Sequence, residues 1–325
     1  MKKRIISVLI IIIVTSIIGI LSVSGMLHTK KEDISIKDKS QYVVGLSMHF
    51  MQDDYTISVA NAFEETMKEN NVETIITNAN GDSKKQVADI EDLIKQGVDA
   101  IGICPLDDSA IRQGLIKAQE EGIKVVTITE ISGVQADAVV YGREYENGYG
   151  SGRRLVEALQ DTENAEVAIL DFPYDVERIK QRIQGFEDAL AGTDIKVAVS
   201  GRCSSNEDAM DYVKELLDNN PNIKGVFCTY SNAVIGAGAA CKALDRPDVK
   251  VVGVDADVLV LKLINEGWVL AVTAQFPKEH GEYCALAILG LLEGNTGRTV
   301  YSSPYQIVDS GNVEQIAKRL WNKEL

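Results

Sequence analysis

Short apolar runs alternate with longer stretches of helical periodicity, and this rhythm constrains the fold more than any other feature of the sequence. The run at residues 250–254 (K-V-V-G-V) is typical of a buried parallel strand. In the stretch 56–70, Val59, Phe63 and Met67 fall on one stripe of a helix. Regular alternation of such segments predicts βαβ units, and therefore parallel sheets covered by helices on both faces.

Glycine marks the ends of several predicted helices. Gly97, Gly122 and Gly267 each stand just before a predicted strand, because glycine tolerates the left-handed conformation that stops a helix. The rhythm runs from residue 42 to residue 141, then restarts and continues to the C-terminus. Two such series are too many for one sheet, so the sequence predicts two similar α/β lobes with a ligand-binding cleft between them.

Asp255 directly follows the strand-like run at residues 250–254. Ligands of open α/β sheets sit beyond the carboxyl ends of the strands, so this carboxylate is predicted to point into a crevice. An equally sound interpretation makes Asp255 the cap of the helix that starts near Val258. The residues alone leave both interpretations open.

The N-terminus has a separate role from the fold. Basic residues 2–4 precede an uncharged run at residues 5–27, which as a helix is about 35 Å long and can cross a bilayer. The leading positive charges keep this end in the cytoplasm and send the remainder outside. Residues 1–28 are predicted to be an uncleaved membrane anchor or a removable signal, because residues 22–25 (S-V-S-G) resemble a cleavage site. The polar stretch 29–41 is predicted to be a tether, so the folded part is extracytoplasmic in either case, in the cell envelope.

Composition narrows the possible functions. The chain has 48 acidic and 33 basic residues and a net charge of −15, so nucleic acid is not predicted as a partner. The five cysteines form no C-x-x-C pair, and the three histidines, His28, His49 and His280, show no metal-ligand spacing. The sequence has no nucleophile elbow, P-loop or G-x-G-x-x-G motif. We therefore expect no catalytic residues, no metal site and no cofactor.

Five segments match a known family in their order and spacing. They are M-Q-D-D-Y-T-I-S-V at 51–59, I-C-P-L-D-D-S-A at 103–110, R-I-Q-G-F at 182–186, V-V-G-V-D-A at 251–256 and V-T-A-Q-F-P at 272–277. Residues 42 to about 309 thus resemble the type I periplasmic binding proteins of the ribose/galactose-binding group.

The resemblance implies two Rossmann-like lobes joined by a hinge that the chain crosses three times, near Gly142, Gln275 and Pro304. The N-terminal lobe is then 42–142 plus 276–303, and the C-terminal lobe is 143–275 plus 304–325. Such lobes close on a ligand held between them.

The resemblance also implies a set of ligand-binding residues. The matching positions are Asp53, Tyr55, Arg182, Tyr230, Asp255 and Gln275. An aromatic ring packs on the C–H face of a sugar, a carboxylate accepts hydroxyl protons, and an arginine donates several hydrogen bonds. Structural alternatives remain open, namely Asp53 as a helix N-cap, Tyr55 as a core aromatic and Arg182 as a solvated helix arginine.

Departures from the family's pattern bear on the identity of the ligand. Thr129-Glu130 stands where ribose-binding relatives usually carry Asp-Arg, and Arg143-Glu144 stands where they often carry Asp-Asn. Ribose is therefore not assumed as the ligand. Glu130 either takes over as an acceptor or faces solvent. A cluster of Asp53, Glu130 and Asp255 would favour a polyol or a cation over an anion.

These features favour an extracytoplasmic protein that binds a sugar or polyol-like molecule and presents it to the permease of an ABC importer. The alternative is a membrane-anchored, ligand-sensing partner of a histidine kinase. Loss of Arg182 or Asp255 is expected to abolish binding and to leave the melting temperature of the free protein almost unchanged.

Overall fold

The computed structural model of the protein describes residues 38–325. The predicted anchor or signal at 1–28 and most of the predicted tether therefore lie outside the described residues. In the part that the structure describes, no helix is long and apolar enough to cross a membrane. At the end of the predicted tether, Lys39–Gln41 forms a short 3₁₀ helix, and the Asp38 side chain accepts a hydrogen bond from the amide of Ser40.

The first of two sheets contains six strands. They are β1 (Val43–Met48), β2 (Glu73–Asn78), β3 (Ala100–Cys104), β4 (Lys124–Ile128), β5 (Ala138–Tyr141) and β11 (Thr299–Ser302). Their order is β11-β5-β4-β3-β1-β2, and every neighbouring pair is parallel. The helices that cover this sheet are α1 (Asp54–Glu69), α2 (Ser83–Lys95), α3 (Asp108–Glu120) and α9 (Pro277–Leu292).

The second sheet also contains six strands. They are β6 (Glu166–Asp171), β7 (Lys196–Arg202), β8 (Ile223–Cys228), β9 (Lys250–Val254), β10 (Ala271–Gln275) and β12 (Tyr305–Asp309). Their order is β12-β10-β9-β8-β6-β7. The helices that accompany them are α4 (Glu144–Leu159), α5 (Glu177–Leu190), α6 (Asn206–Asn219), α7 (Ser231–Ala243), α8 (Val258–Asn265) and α10 (Val313–Trp321).

Apolar side chains fill both faces of each sheet. On the first sheet, Leu46 and Phe63 belong to one core cluster, and Ile101 and Leu115 belong to the cluster on the opposite face. All five residues of β3 and all five of β10 are buried. Continuous apolar runs are the expected sequence of strands covered on both sides, so the prediction of two α/β units is confirmed for residues 38–325, with sheets whose strands are mostly parallel.

Two strands depart from the sequence-based expectation. β12 pairs with β10 in the antiparallel sense, because β11 already ends at the junction between the sheets and a strand that follows at once must run away from it. β11 was not predicted at all. Its residues T-V-Y-S are largely exposed at the edge of the first sheet, so they lack the apolar run that identified the inner strands.

The chain passes between the two sheets three times. It leaves the first sheet after β5, returns to it after β10, and crosses again between β11 and β12. All three passages lie at the carboxyl ends of parallel strands, so the residues there adjoin both sheets. The lobe limits inferred from the resemblance, 42–142 plus 276–303 and 143–275 plus 304–325, stay a prediction.

Candidate functional site

A cavity of about 320 Å³ lies between the two sheets, where loops that follow the strands of both sheets meet. Six of the seven predicted binding residues line it, namely Asp53, Tyr55, Arg182, Tyr230, Asp255 and Gln275. They come together because the carboxyl ends of the parallel strands in each sheet share one edge. The volume of the cavity falls at the lower end of the range for small-molecule sites.

Arg182, on helix α5, is the most extensively bonded side chain of the cavity wall. Its Nε donates to Glu144 Oε2 at 2.7 Å, its Nη1 to the carbonyl oxygen of Thr229 at 2.7 Å, and its Nη2 to Gln275 Oε1 at 2.9 Å. The side chain is only 4% exposed. Arg182 is therefore not the solvated helix arginine of the alternative interpretation.

Glu144 is the partner of Arg182 and was not among the predicted site residues. Burial raises the pKa of this carboxyl, but the adjacent Arg182 outweighs that effect and holds the pKa below its ordinary value. Two glycines bring the helices of the pair together, since a Cβ atom on Gly148 or Gly185 would collide with a backbone carbonyl oxygen of the other helix. The motif R-I-Q-G-F thus supplies both the arginine and the close approach that pairs it.

Gln275 ends β10, at the second passage between the sheets. Its Oε1 accepts from Arg182, and its Nε2 donates to Glu144 Oε1 at 3.3 Å. Both ends of the amide are therefore bonded to the buried ion pair.

Asp255 follows β9 with a backbone φ of 80°, a region that non-glycine residues rarely adopt and that is common at functional sites. Its Oδ2 lies 3.7 Å from Nη1 of Arg182. Its Oδ1 is buried and has no hydrogen-bond partner in the part of the chain that the structure describes. Burial raises the pKa of Asp255 to about 6 despite the opposing effect of Arg182, and Glu144 and Asp53 add to the increase.

Thr129 occupies the corresponding place at the end of β4 in the first sheet. Its φ is 78°, and its amide donates to Val140 of the neighbouring strand at 2.9 Å, as the amide of Asp255 donates to Thr273 at 2.9 Å. Both residues line the cavity. The two halves thus present equivalent strained backbone positions to the same space.

Asp53 both lines the cavity and caps helix α1. Its Oδ1 accepts from the amide of Thr56 at 2.7 Å and from the hydroxyl at 2.6 Å. Burial raises the pKa of this carboxyl, and the hydrogen bonds from Thr56 oppose the increase. Asp53 can therefore serve both as a helix N-cap and as a residue of the cavity wall.

Tyr55 is held by a chain of buried polar groups behind the cavity. Its hydroxyl lies 2.7 Å from Nδ1 of His280, and Nε2 of the same ring lies 2.6 Å from the hydroxyl of Ser303. Burial lowers the pKa of His280 to about 4, so the ring is neutral at physiological pH and orients the tyrosine without adding a charge.

Aromatic residues form much of the remaining wall. The ring of Tyr230 meets that of Phe172 edge to face at 5.0 Å, and its hydroxyl donates to the carbonyl oxygen of Cys203 at 2.5 Å. Phe50, Phe172 and Tyr174 also line the cavity but were not predicted. Their position just beyond β1 and β6 is the signal that identifies them, since the same argument singled out Asp255.

Glu130 does not line the cavity. Its carboxylate is 47% exposed, and Oε1 lies 2.9 Å from Nη2 of Arg298. Of the two alternatives that the sequence left open, the geometry favours the outward one. The acidic cluster expected from Asp53, Glu130 and Asp255 is therefore built differently, with the buried Glu144 near the two aspartates.

Residues 38–325 contain no group of three or more histidine, cysteine or acidic side chains that could hold a metal ion. The five cysteines, Cys104, Cys203, Cys228, Cys241 and Cys284, are buried free thiols. Burial raises the pKa of Cys104, the one that lines the cavity, to about 12. A thiol of this kind is protonated at neutral pH and a poor nucleophile.

Comparison with known proteins places this geometry in context. A model described as a periplasmic binding protein domain matches residues 44–296. The ribose import binding protein of Bacillus subtilis (strain 168) is 28% identical over 274 residues, which cover 83% of this chain and 88% of that protein. The D-ribose/D-allose-binding protein of Pseudomonas aeruginosa is 30% identical over 225 residues, which cover 66% of this chain and 70% of that protein.

A solved structure agrees with these relatives. An ABC transporter periplasmic solute binding protein from Actinobacillus succinogenes, with bound D-allose, superposes with a TM-score of 0.75 at 26% identity. The match covers 85% of this chain and 100% of that chain. All three relatives are binding proteins rather than enzymes, which confirms the expectation that this chain is not an enzyme.

Proposed function

Because the chain belongs to the periplasmic binding protein domain family, we propose that it is a solute-binding protein that presents a sugar or sugar-like molecule to an ABC importer. The observation that carries the proposal is the convergence of six predicted binding residues, from both sheets, on one cavity. The wall combines aromatic rings with buried carboxylates, the chemistry that recognises a hydroxylated ring. Relatives named for ribose import and for ribose or allose binding support the same class of ligand.

We propose that the two sheets and their helices form hinged lobes that close over the ligand. Several hydrogen bonds join the halves near the cavity, and three of them involve residues 174–178. Tyr174 donates to the carbonyl oxygen of Gly81 at 2.8 Å, Arg178 Nη1 donates to that of Pro105 at 2.8 Å, and the amide of Glu177 donates to Asp108 Oδ2 at 2.9 Å. Bonds of this kind exist only when the halves are together, so a ligand that bridges them shifts the population toward the closed state.

Membership of the family implies an extracytoplasmic location. Residues 1–28 would then anchor the protein in the membrane or serve as a cleaved signal, which makes the tether at 29–41 either a link to the membrane or a free N-terminal extension. The relatives are import binding proteins, so they favour import over partnership with a sensor kinase.

A thermal-shift screen of sugars, polyols and related amines against the purified full-length protein tests the proposal. A ligand at 100 times its Kd stabilises the folded protein by about 2.7 kcal/mol through mass action, which appears as a higher melting temperature. Calorimetry then gives the affinity. We expect Asp255→Ala to abolish binding and Glu130→Gln to leave the affinity unchanged, because Asp255 lines the cavity and Glu130 does not.

Failure of every sugar, polyol and amine to bind the wild-type protein would contradict the proposal. So would equal losses of affinity in the two variants. Import is tested separately, since deletion of the gene should abolish high-affinity uptake of the ligand found in the screen. Normal uptake in the deletion strain would argue against delivery to an importer.

A further inference from the structure

Of the two arginines that line the cavity, Arg178 and Arg182, only Arg182 is paired with a buried carboxylate. Its partner is Glu144, and both side chains are almost fully buried. Arg178 Nη1 donates to the carbonyl oxygen of Pro105 at 2.8 Å, and its guanidinium lies 5.7 Å from the centre of the Phe172 ring. His49, which also lines the cavity, is neutral because burial and Arg178 lower its pKa to about 3. Arg178 therefore contributes the remaining positive charge of the wall.

Two further carboxylates line the same cavity without an equivalent cation. Asp53 forms no salt bridge with any residue of the described range 38–325, and Asp255 Oδ2 lies 3.7 Å from Nη1 of Arg182, which Glu144 already engages. Asp257 is also buried, and its Oδ1 has no partner among residues 38–325, but burial raises its pKa well above the ordinary value and favours the neutral form. The cavity is thus left with an excess of negative charge, and a bound cation would neutralise it.

Hydrogen-bond capacity points in the same direction. The strong donors of the wall are largely used by protein acceptors, since Arg182 has three bonds, Tyr230 donates to Cys203, and Tyr174 donates to Gly81. Two buried side-chain atoms of the lining residues have no partner among residues 38–325, namely Asp255 Oδ1, which is an acceptor, and Nδ1 of the neutral His49. A buried acceptor without a partner is costly, so a complementary ligand brings protons to this end of the cavity.

Aromatic rings complete an environment that suits a cation. Phe50, Tyr55, Phe172 and Tyr230 line the same cavity as the two aspartates. The faces of aromatic rings attract ammonium groups. The same rings pack on the C–H faces of sugars, so they are compatible with a ligand that has both a charged group and a hydroxylated ring.

We propose that the ligand is a hydroxylated amine, such as an amino sugar or amino polyol, whose protonated amino group binds at Oδ1 of Asp255. The inference rests on the proposed sugar-like ligand and specifies its charge. An ammonium group donates up to three hydrogen bonds and carries the compensating charge, whereas a hydroxyl donates one bond and carries none. A sugar phosphate or sugar acid would add to the negative charge and is not expected to bind.

Calorimetry with pairs of compounds that differ in one group tests this inference on the full-length protein. The pairs are D-glucosamine with D-glucose, D-galactosamine with D-galactose, D-allosamine with D-allose, and scyllo-inosamine with scyllo-inositol. We expect the amine of at least one pair to bind at least tenfold more tightly than its hydroxyl counterpart at pH 7. N-acetylation, which removes the charge, should remove that preference.

Variants assign the preference to the carboxylate. Asp255→Asn should remove the preference for the amine, while Asp211→Asn, on an 82% exposed surface side chain, should retain it. A melting curve of each variant establishes that it is folded. Equal or tighter binding of the neutral sugars would overturn the charge inference and leave the proposed function intact. Failure of every pair to bind would overturn the inference and the sugar site together.

Discussion

Arg182 and Glu144 form a buried ion pair whose role differs from the one expected from the sequence. The matching arginine was expected to grip the ligand and to leave stability unaffected when removed. In the structure its three hydrogen bonds go to protein groups from helix α4, the loop after β8 and the end of β10. The pair therefore also holds together the wall of the cavity.

Removal of one member of this pair should destabilise the protein. We expect Arg182→Ala to lower the free energy of unfolding by about 3–5 kcal/mol, because Glu144 would remain charged and buried without its partner. Urea denaturation of the purified protein measures this loss. The double variant Arg182→Met with Glu144→Gln should lose less than the sum of the single variants. An unchanged unfolding free energy in Arg182→Ala would restore the original expectation.

Asp255 is predicted to reduce the stability of the folded protein at neutral pH, because its charged carboxylate is buried. Burial raises its pKa from 3.8 to about 6, so between these pH values the folded protein holds a proton that the unfolded chain has released. Stability therefore falls as pH rises from about 4 to about 6 and stays lower above that range. At 1.36 kcal/mol for each unit of pKa, this increase in the pKa of Asp255 lowers the free energy of unfolding at neutral pH by up to about 3 kcal/mol.

Asp255→Asn removes this titration and should raise the melting temperature at pH 7 relative to the wild type. The gain should shrink as the pH is lowered to about 4, where the wild-type carboxyl is protonated. Asp211→Asn, which changes an exposed carboxylate, should show no such pH-dependent gain. A gain of the same size at pH 4 and pH 7 would mean that the effect does not come from this carboxyl group.

Helices α1 and α3 begin with the same dipeptide, Asp-Asp, at positions 53–54 and 107–108. The first aspartate of each pair caps its own helix, through Thr56 for Asp53 and through Ser109 and Ala110 for Asp107. The second reaches a helix of the other sheet. Asp54 Oδ2 accepts from the amide of Val258 at 3.2 Å, and Asp108 Oδ2 accepts from that of Glu177 at 2.9 Å. Each dipeptide thus caps its own helix with the first aspartate and a helix of the other sheet with the second.

This arrangement offers a matched test of closure. Asp108→Ala removes a cap that exists only when the halves are together, so it should weaken ligand binding by roughly two- to thirtyfold, the equivalent of the usual 0.5–2 kcal/mol for a helix cap. Asp107→Ala removes a cap within one half, so it should lower the melting temperature and change affinity little. Calorimetry and thermal denaturation of both variants give the two effects, and similar affinities in both would exclude a role for Asp108 in closure.

On the scale of the molecule, the site is formed by the meeting of two similar halves. Thr129 and Asp255 end corresponding strands with the same unusual φ and the same type of backbone hydrogen bond. Neither half alone encloses the cavity, because its lining residues come from both sheets. If the halves close over the ligand as proposed, binding and closure are coupled, and the ligand's affinity includes the energy of joining the halves.

Thiol reactivity gives a measure of that coupling. Cys104 lines the cavity, whereas Cys241 lies in the core of the second sheet. Both thiols are buried, and burial raises their pKa to about 12 and about 11. Opening of the halves exposes Cys104 at a lower cost than unfolding exposes Cys241, so Cys104 should react first with N-ethylmaleimide.

Ligand should slow the reaction of Cys104 by favouring the closed state. Peptide mass spectrometry of alkylated protein, sampled over time with and without ligand, measures both rates. A Cys104 rate that ligand leaves unchanged would show that the halves do not close over the cavity.

The sequence by itself determined the alternating α/β architecture and one residue of the cavity wall, Asp255, while the resemblance to a known family supplied five more. Buried parallel strands require uninterrupted apolar runs, which residues 250–254 show plainly, and the residue after such a run must lie at the edge where ligands bind. This is why Asp255 was found from local pattern. The edge strand β11 was not predicted because its exposed residues form no such apolar run.

Only the tertiary structure decided which polar groups became partners. Glu144 meets Arg182 across 38 positions of sequence, and Glu130 meets Arg298 across 168. Local periodicity reports which face of an element is buried, but a charged side chain takes its role from the groups that folding brings near it. That is why one glutamate is the buried partner of the site arginine, while the other, which departs from the family's pattern, pairs with Arg298 at the surface.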